Sequence, residues 1–198
     1  MFKHLDFAYS PERNQYNSTT ILQQLAQKLP REFIKVLGVT KVDLYIPVLT
    51  HVYGEAQLQG SASLISTYRL SENLCTEGPG EHFRKRAIKE SLHELGHCFN
   101  LKHCKEPSCI MHYCRSTYDV DQKANRLCRY CQVFMQDELK RLLSVGKGDL
   151  STEFGAVEDI VDEIAERAGT AATDALEDAT GDGRLRQSET EARDTAAA

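Results

Sequence analysis

Residues 93–131 read HELGHCFNLKHCKEPSCIMHYCRSTYDVDQKANRLCRYC, and no other stretch of the chain restricts its fold so tightly. The run opens with His93-Glu94-x-x-His97. On a helix, residues four apart are surface neighbours, so both imidazoles fall on one face and can share a metal. Three neutral imidazoles hold zinc with its fourth position left for water, whose pKa then drops to about 7. His103, six residues past His97, is the candidate for the third place. Glu94 is the candidate general base, placed to take the water's proton and return it to a leaving amine. For His103 to face back on the other two, the helix must end in a left-handed residue. Asn100 stands there, and Asn is the usual choice after Gly.

A second constellation overlaps the first. Cys104 directly follows His103, and the pattern continues HC-x4-C-x-M-x16-C-x-x-C through Cys109, Met111, Cys128 and Cys131. Closely spaced thiolate pairs are what a closed tetrahedral zinc site requires, although with Cys114 there are five nearby cysteines for four positions. The histidine run matches the metzincin pattern HExxHxxGxxH followed by a methionine turn, with Asn100 in place of Gly.

With its cysteines, the run resembles the archaemetzincins, whose motif is HExxHxxGxxHC-x4-C-x-M-x17-C-x-x-C. Segments 52–57 (VYGEAQ) and 65–70 (ISTYRL) are similar to that family more loosely. The departures are Asn100 and a spacer one residue shorter before Cys128. The resemblance implies an α+β domain of the αβα zincin type, a mixed twisted sheet packed on an active-site helix with a small zinc-stapled C-terminal part. It implies a zinc metallopeptidase acting on peptide or protein substrates, with two zinc ions per chain. The catalytic zinc would sit on His93, His97 and His103. The structural zinc would sit on Cys104, Cys109, Cys128 and Cys131, which leaves Cys114 out. Met111 would form the methionine turn, an apolar floor beneath the metal. Ile110-Met111-His112-Tyr113 is also similar to that turn in astacins, which makes Tyr113 a candidate oxyanion stabiliser. Two rival readings stand beside this one. The first is a peptide-recognition or interaction protein on the same scaffold that keeps zinc without turnover. The second is an interaction module built on the cysteines alone, holding one metal.

Composition narrows the setting. Seven cysteines, an odd number, in a chain whose first residues lack the apolar core of a secretory signal, read as reduced thiols in the cytoplasm. No apolar run reaches the eighteen residues of a membrane span. Residues 149–198 hold fourteen acidic side chains against four Arg, a net −10, so the first 148 carry +5. That modest excess, without interleaved aromatics, does not make a nucleic-acid surface. The chain divides into a catalytic domain with its structural zinc site at 1–148, an acidic amphipathic helix at 149–168, and an acidic tail at 169–198 expected to be disordered.

Periodicity supplies the elements. A first strand is expected near residues 7–9. A helix capped by Ser18 or Thr19 follows, with Ile21, Leu22, Leu25 and Leu29 on one side and Pro30 as its stop. Strands at 33–37 and 41–47 flank Gly38, and another runs over 61–68. By resemblance to the metzincins, in which the strand before the active-site helix is the sheet edge that receives an extended substrate, residues 60–66 are assigned that role. The active-site helix spans 83–99, burying Phe83, Ala87, Ile88, Leu92, Leu95 and Phe99 and turning Arg84, Lys85, Arg86 and Lys89 to solvent. The chain is irregular from 101 and ends in a helix at 132–143. Cys75, Cys98, His4, His51 and His82 read as structural or exposed, His112 as pocket wall or surface, and Glu55 and Glu72 as candidate anchors for a free amino terminus.

Overall fold

The computed structural model describes residues 4–30, 33–71 and 80–145, so the expectations for Glu72, Cys75 and the acidic C-terminal segments lie outside the described residues. After a 3-10 turn at Asp6–Ala8 come β1 (Tyr9–Ser10), β2 (Gln15–Asn17) and α1 (Ser18–Gln27). Four short strands follow, β3 (Val36–Thr40), β4 (Leu44–Tyr45), β5 (Gly54–Ala56) and β6 (Ala62–Ser66). The rest is helical: α2 (Glu81–Cys98), α3 (Thr117–Gln122) and α4 (Arg129–Val145). Among the described residues no helix is long and apolar enough to cross a membrane.

The α+β class holds, with the mixed sheet realised as two small ones. One is ordered β1-β2-β4, and the other β3-β6-β5, where β6 runs parallel to β3 and antiparallel to β5. All five residues of β6 are buried, because strands flank it on both sides and α1 and α2 also pack on it. This overturns the edge assigned to residues 60–66. The strand bordering the cleft is β5, whose other side pairs with no strand among the described residues.

Other expectations shift for local reasons. Asn17 caps α1, not Ser18 or Thr19: its side-chain oxygen accepts the Thr20 N–H at 2.9 Å. Gly38 lies inside β3, since a Cβ there would stand 2.9 Å from Leu25 Cδ2 and 3.0 Å from Leu64 Cδ1. The sheet therefore uses Gly38 for close approach and not as a break. Residues 33–37 are accordingly not a separate strand, and of 41–47 only β4 is strand.

The supposedly irregular stretch contains α3, opened by a capping box in which Ser116 Oγ accepts the Asp119 N–H and the Asp119 carboxylate accepts the Ser116 N–H. Arg86 and Lys89 serve α3 and not solvent. Arg86 is buried and forks onto Asp121 at 2.8 and 2.7 Å, while Lys89 Nζ donates to the carbonyls of Val120 and Asp121 at the end of α3. A cation at a helix C-terminus satisfies carbonyls that have no partner within the helix.

The apolar stripe of α2 is divided between two cores. Phe83 and Ala87 pack with Tyr53, Leu70 and Val120, and Leu92 and Phe99 pack with Ile110, Met111, Leu127 and Met135. The second core joins α4, entered two residues before Cys131, to the base of the active-site helix.

Candidate active site

The end of α2 turns as the sequence requires. Asn100 adopts φ 65°, the Leu101 N–H reaches the Gly96 carbonyl at 3.0 Å, and the Asn100 N–H reaches that of His97 at 2.9 Å. These are the two bonds of a Schellman ending, with Asn in the left-handed place. The turn carries the chain back so that His103 faces His93 and His97. The ligand nitrogens of the three lie within 4.8 Å of one another.

The orientation of the imidazoles bears on what can stand between them. His93 Nδ1 lies 2.9 Å from the Ile110 carbonyl and His97 Nδ1 lies 2.7 Å from that of Leu101. A carbonyl only accepts, so each Nδ1 carries its ring's proton and each Nε2 presents a lone pair. Those two Nε2 atoms face one another at 3.2 Å, where neither can donate. Two nitrogens bound tetrahedrally at 2.0–2.1 Å lie roughly 3.3 Å apart, so the pair fits a zinc ion between them. Burial holds the imidazolium of His93 well below its ordinary range and also lowers His97 and His103, which keeps the rings neutral.

The four expected cysteines also converge. The sulfurs of Cys104, Cys109, Cys128 and Cys131 lie within 4.8 Å of one another, and Cys104 and Cys128 are 3.7 Å apart. Tetrahedral Zn–S bonds of 2.3 Å put sulfurs about 3.8 Å apart, so this donor set suits zinc as well. The N–H groups of Glu106 and Cys128 point at Cys104 Sγ and Cys109 Sγ at 3.4 and 3.3 Å, as thiolate ligands favour. Cys114 is not in the cluster; it borders the cleft, and burial pushes its thiol up to about 11. Cys98 packs in the interior and donates to the Ala62 carbonyl at 3.3 Å.

Met111 is fully buried beneath the histidines, so close to Gly96 that a Cβ there would lie 2.4 Å from its sulfur. Tyr113 is 43% exposed, its ring centroid 5.0 Å from that of His103. His112 bonds the Cys104 carbonyl through Nδ1 at 3.0 Å, at the junction of the histidine and cysteine clusters.

A cleft of about 930 Å³ opens over the histidines, with β5 as one wall. Glu94 lies in its floor. Burial, and then the charge of Glu90, push its carboxyl well above the ordinary carboxylate range. Glu55 also borders the cleft, but its carboxylate accepts the hydroxyls of Ser18 and Thr19 at the start of α1. The sequence reading did not single out Lys123 or Glu90. They form a buried ion pair at 2.7 Å beside Glu94, and a lone lysine in DQKAN gives no pattern by which to find it.

Comparison with known proteins places the chain. The model of peptidase family M54 matches residues 6–137. The archaemetzincin of Methanocaldococcus jannaschii is 42% identical over 132 residues, which cover 66% of this chain and 72% of that protein. The crystal structure of the archaemetzincin of Methanopyrus kandleri superposes with a TM-score of 0.64 at 38% identity, covering 70% of this chain and 74% of that one. A zinc-dependent peptidase from Methanocorpusculum labreanum gives 0.57 at 29% identity, covering 65% and 78%. Fold and relatives together define a zinc metallopeptidase. The chain belongs to peptidase family M54.

Proposed function

We propose that His93, His97 and His103 hold a catalytic zinc through their Nε2 atoms, that Cys104, Cys109, Cys128 and Cys131 hold a second, structural zinc, and that Glu94 is the general base of peptide-bond hydrolysis. The observation that carries this is the Nε2 pair at 3.2 Å with both Nδ1 atoms committed to backbone carbonyls. Zinc in the histidine site supplies a Lewis acid and a water acidic enough to ionise near neutral pH.

The remaining steps belong to the chain's own groups. An extended peptide adds to the side of β5 away from β6, which pairs with no strand among the described residues, where backbone amides bind it independently of side chains. Glu94 takes the proton of the attacking water and delivers it to the departing amine. A carboxyl pushed above its usual range is suited to both transfers near neutral pH. Tyr113, standing over His103, donates its O–H to the oxyanion that forms at the scissile carbonyl. Thiols reserved for a metal suit a reducing compartment, and we place the protein in the cytoplasm.

The test is digestion of a peptide library by wild type and Glu94→Gln, with zinc measured per chain in both. Equal zinc with turnover reduced by about 10²-fold or more is expected. Identical product profiles would dispose of the general base and leave a zinc-bearing peptide-recognition protein in its place.

A further inference from the structure

Toward the start of α2, the cleft ends on a charged pair. Glu90 precedes Glu94 by one turn, and its Oε1 accepts from Lys123 Nζ at 2.7 Å. Both line the cleft beside Cys114, although their side chains are only 5% and 1% exposed. Lys123 is the residue that ends α3, which Arg86 and Lys89 fasten to α2. Burial lowers its pKa, but Glu90, Cys114 and Glu94 together outweigh that and raise it above the ordinary lysine value, so the ammonium stays charged.

The pair is incompletely satisfied on the cleft side. An ammonium has three N–H donors, and among the described residues Lys123 Nζ gives one to Glu90 Oε1 and another to the Cys114 sulfur. Among the described residues Glu90 Oε2 accepts none. It is not sealed off either, since Ser91 Oγ is the one fully buried side-chain polar atom without a partner among the described residues. The floor of this end of the cleft therefore offers a carboxylate oxygen without a partner among the described residues next to one remaining ammonium hydrogen.

We propose that Glu90 and Lys123 form a substrate subsite for a side-chain amide, that of Gln or Asn, a proposal that rests on the peptidase reading above. An amide carries a carbonyl for Lys123 and an NH2 for Glu90, so one group meets both needs. A substrate carboxylate would be repelled by Glu90, and a substrate cation by Lys123. An aliphatic side chain would displace water from the pair and return no hydrogen bond, a loss that a polar pocket turns into discrimination.

The experiment uses the full-length, zinc-loaded Glu94→Gln chain, so that binding is read without turnover. A fluorescent alanine peptide carries one Gln or one Met, of similar size, at each position in turn. At one position the Gln peptide is expected to bind about tenfold tighter. That preference should vanish or reverse when Glu90→Leu and Lys123→Met are added. Independently, the Gln peptide should shield Cys114 from N-ethylmaleimide, read by mass spectrometry, where the Met peptide at equal concentration does not. The shielding measurement decides even if the combined variant does not fold. Gln no tighter than Met at every position, a preference that survives the double change, or an unshielded Cys114 overturns the subsite. A wild-type chain that binds with this preference and cleaves nothing overturns the peptidase reading and leaves the subsite standing.

Discussion

Gly54 and Glu94 stand so close that a Cβ on residue 54 would lie 2.6 Å from Cγ of Glu94, and 2.7 Å from the Leu64 carbonyl oxygen behind it. The wall of the cleft is thus pressed onto the carboxylate proposed as general base. Gly54→Ala must displace either the β5–β6 pairing or the Glu94 side chain, and the side chain moves more easily. Turnover should fall by about tenfold to a hundredfold, as a displacement of roughly 1 Å in a reacting group costs. The atoms nearest to such a Cβ belong to Glu94 and Leu64 and not to a histidine, so zinc per chain should stay at the wild-type value. Full activity in Gly54→Ala would show that the contact does not position Glu94.

Asn100 makes a sharper test of the turn that delivers His103. At φ 65° a β-branched side chain is strained by about 1–2 kcal/mol, and Gly is not strained at all. Asn100→Val should therefore lower the urea midpoint and weaken zinc retention at the histidine site, while Asn100→Gly leaves both at or above the wild-type level. Equal behaviour of the two variants would mean that the left-handed residue does not control the site.

This turn also marks how far the sequence could be read. The HExxH face, the third histidine and the left-handed ending follow from helix periodicity and local sterics, which act within a few residues. The four sulfurs follow from ligand spacing. What spacing cannot supply is the set of partners brought in by tertiary packing. Arg86 and Lys89 carry the look of a solvated helix face until α3 is laid against them. β6 lies before the active-site helix, where the resemblance puts an edge strand, yet it is central because β3 and β5 pair to either side of it. Only the capping box at Ser116 and Asp119 could have announced α3 from sequence, and Lys123 had no local signal at all.

The Arg86–Asp121 pair makes stability depend on acid. Hydrogen bonds from Arg86 hold the Asp121 carboxyl below its ordinary value. The folded pKa is depressed, so the stabilisation is fully present above the unfolded value of about 3.9 and is lost as pH falls through the folded value. Asp121→Asn should destabilise the protein at neutral pH by about 2–4 kcal/mol, because a buried guanidinium loses its counter-charge. It should also flatten the decline in stability below about pH 4. Urea titrations at pH 7 and pH 3 check both. A variant that loses the same stability at each pH would show that Asp121 acts by shape alone.

His103 and Cys104 share a peptide bond yet belong to different clusters, the three histidines and the four cysteines, each proposed to hold a zinc ion. Their segment is held by the Cys104 N–H on the Met111 carbonyl at 2.8 Å and by His112 on the Cys104 carbonyl at 3.0 Å. The other anchor is the sulfur cluster, where Cys104 meets Cys128 at 3.7 Å. Cys128→Ser removes a thiolate ligand 25 residues from His103 in sequence. With the cluster loosened, His103 should lose its fixed position, and zinc affinity at the histidine site should drop by about tenfold or more, the usual size of a supporting-residue effect. Metal per chain, measured by mass spectrometry before and after brief chelation, reads this directly. Wild type should fall from two zinc ions to one, the exchangeable ion coming from the open histidine site. Cys114→Ser, which alters a thiol outside the cluster, should behave as wild type. Unchanged occupancy of the histidine site in Cys128→Ser would mean that the two sites are adjacent without being coupled.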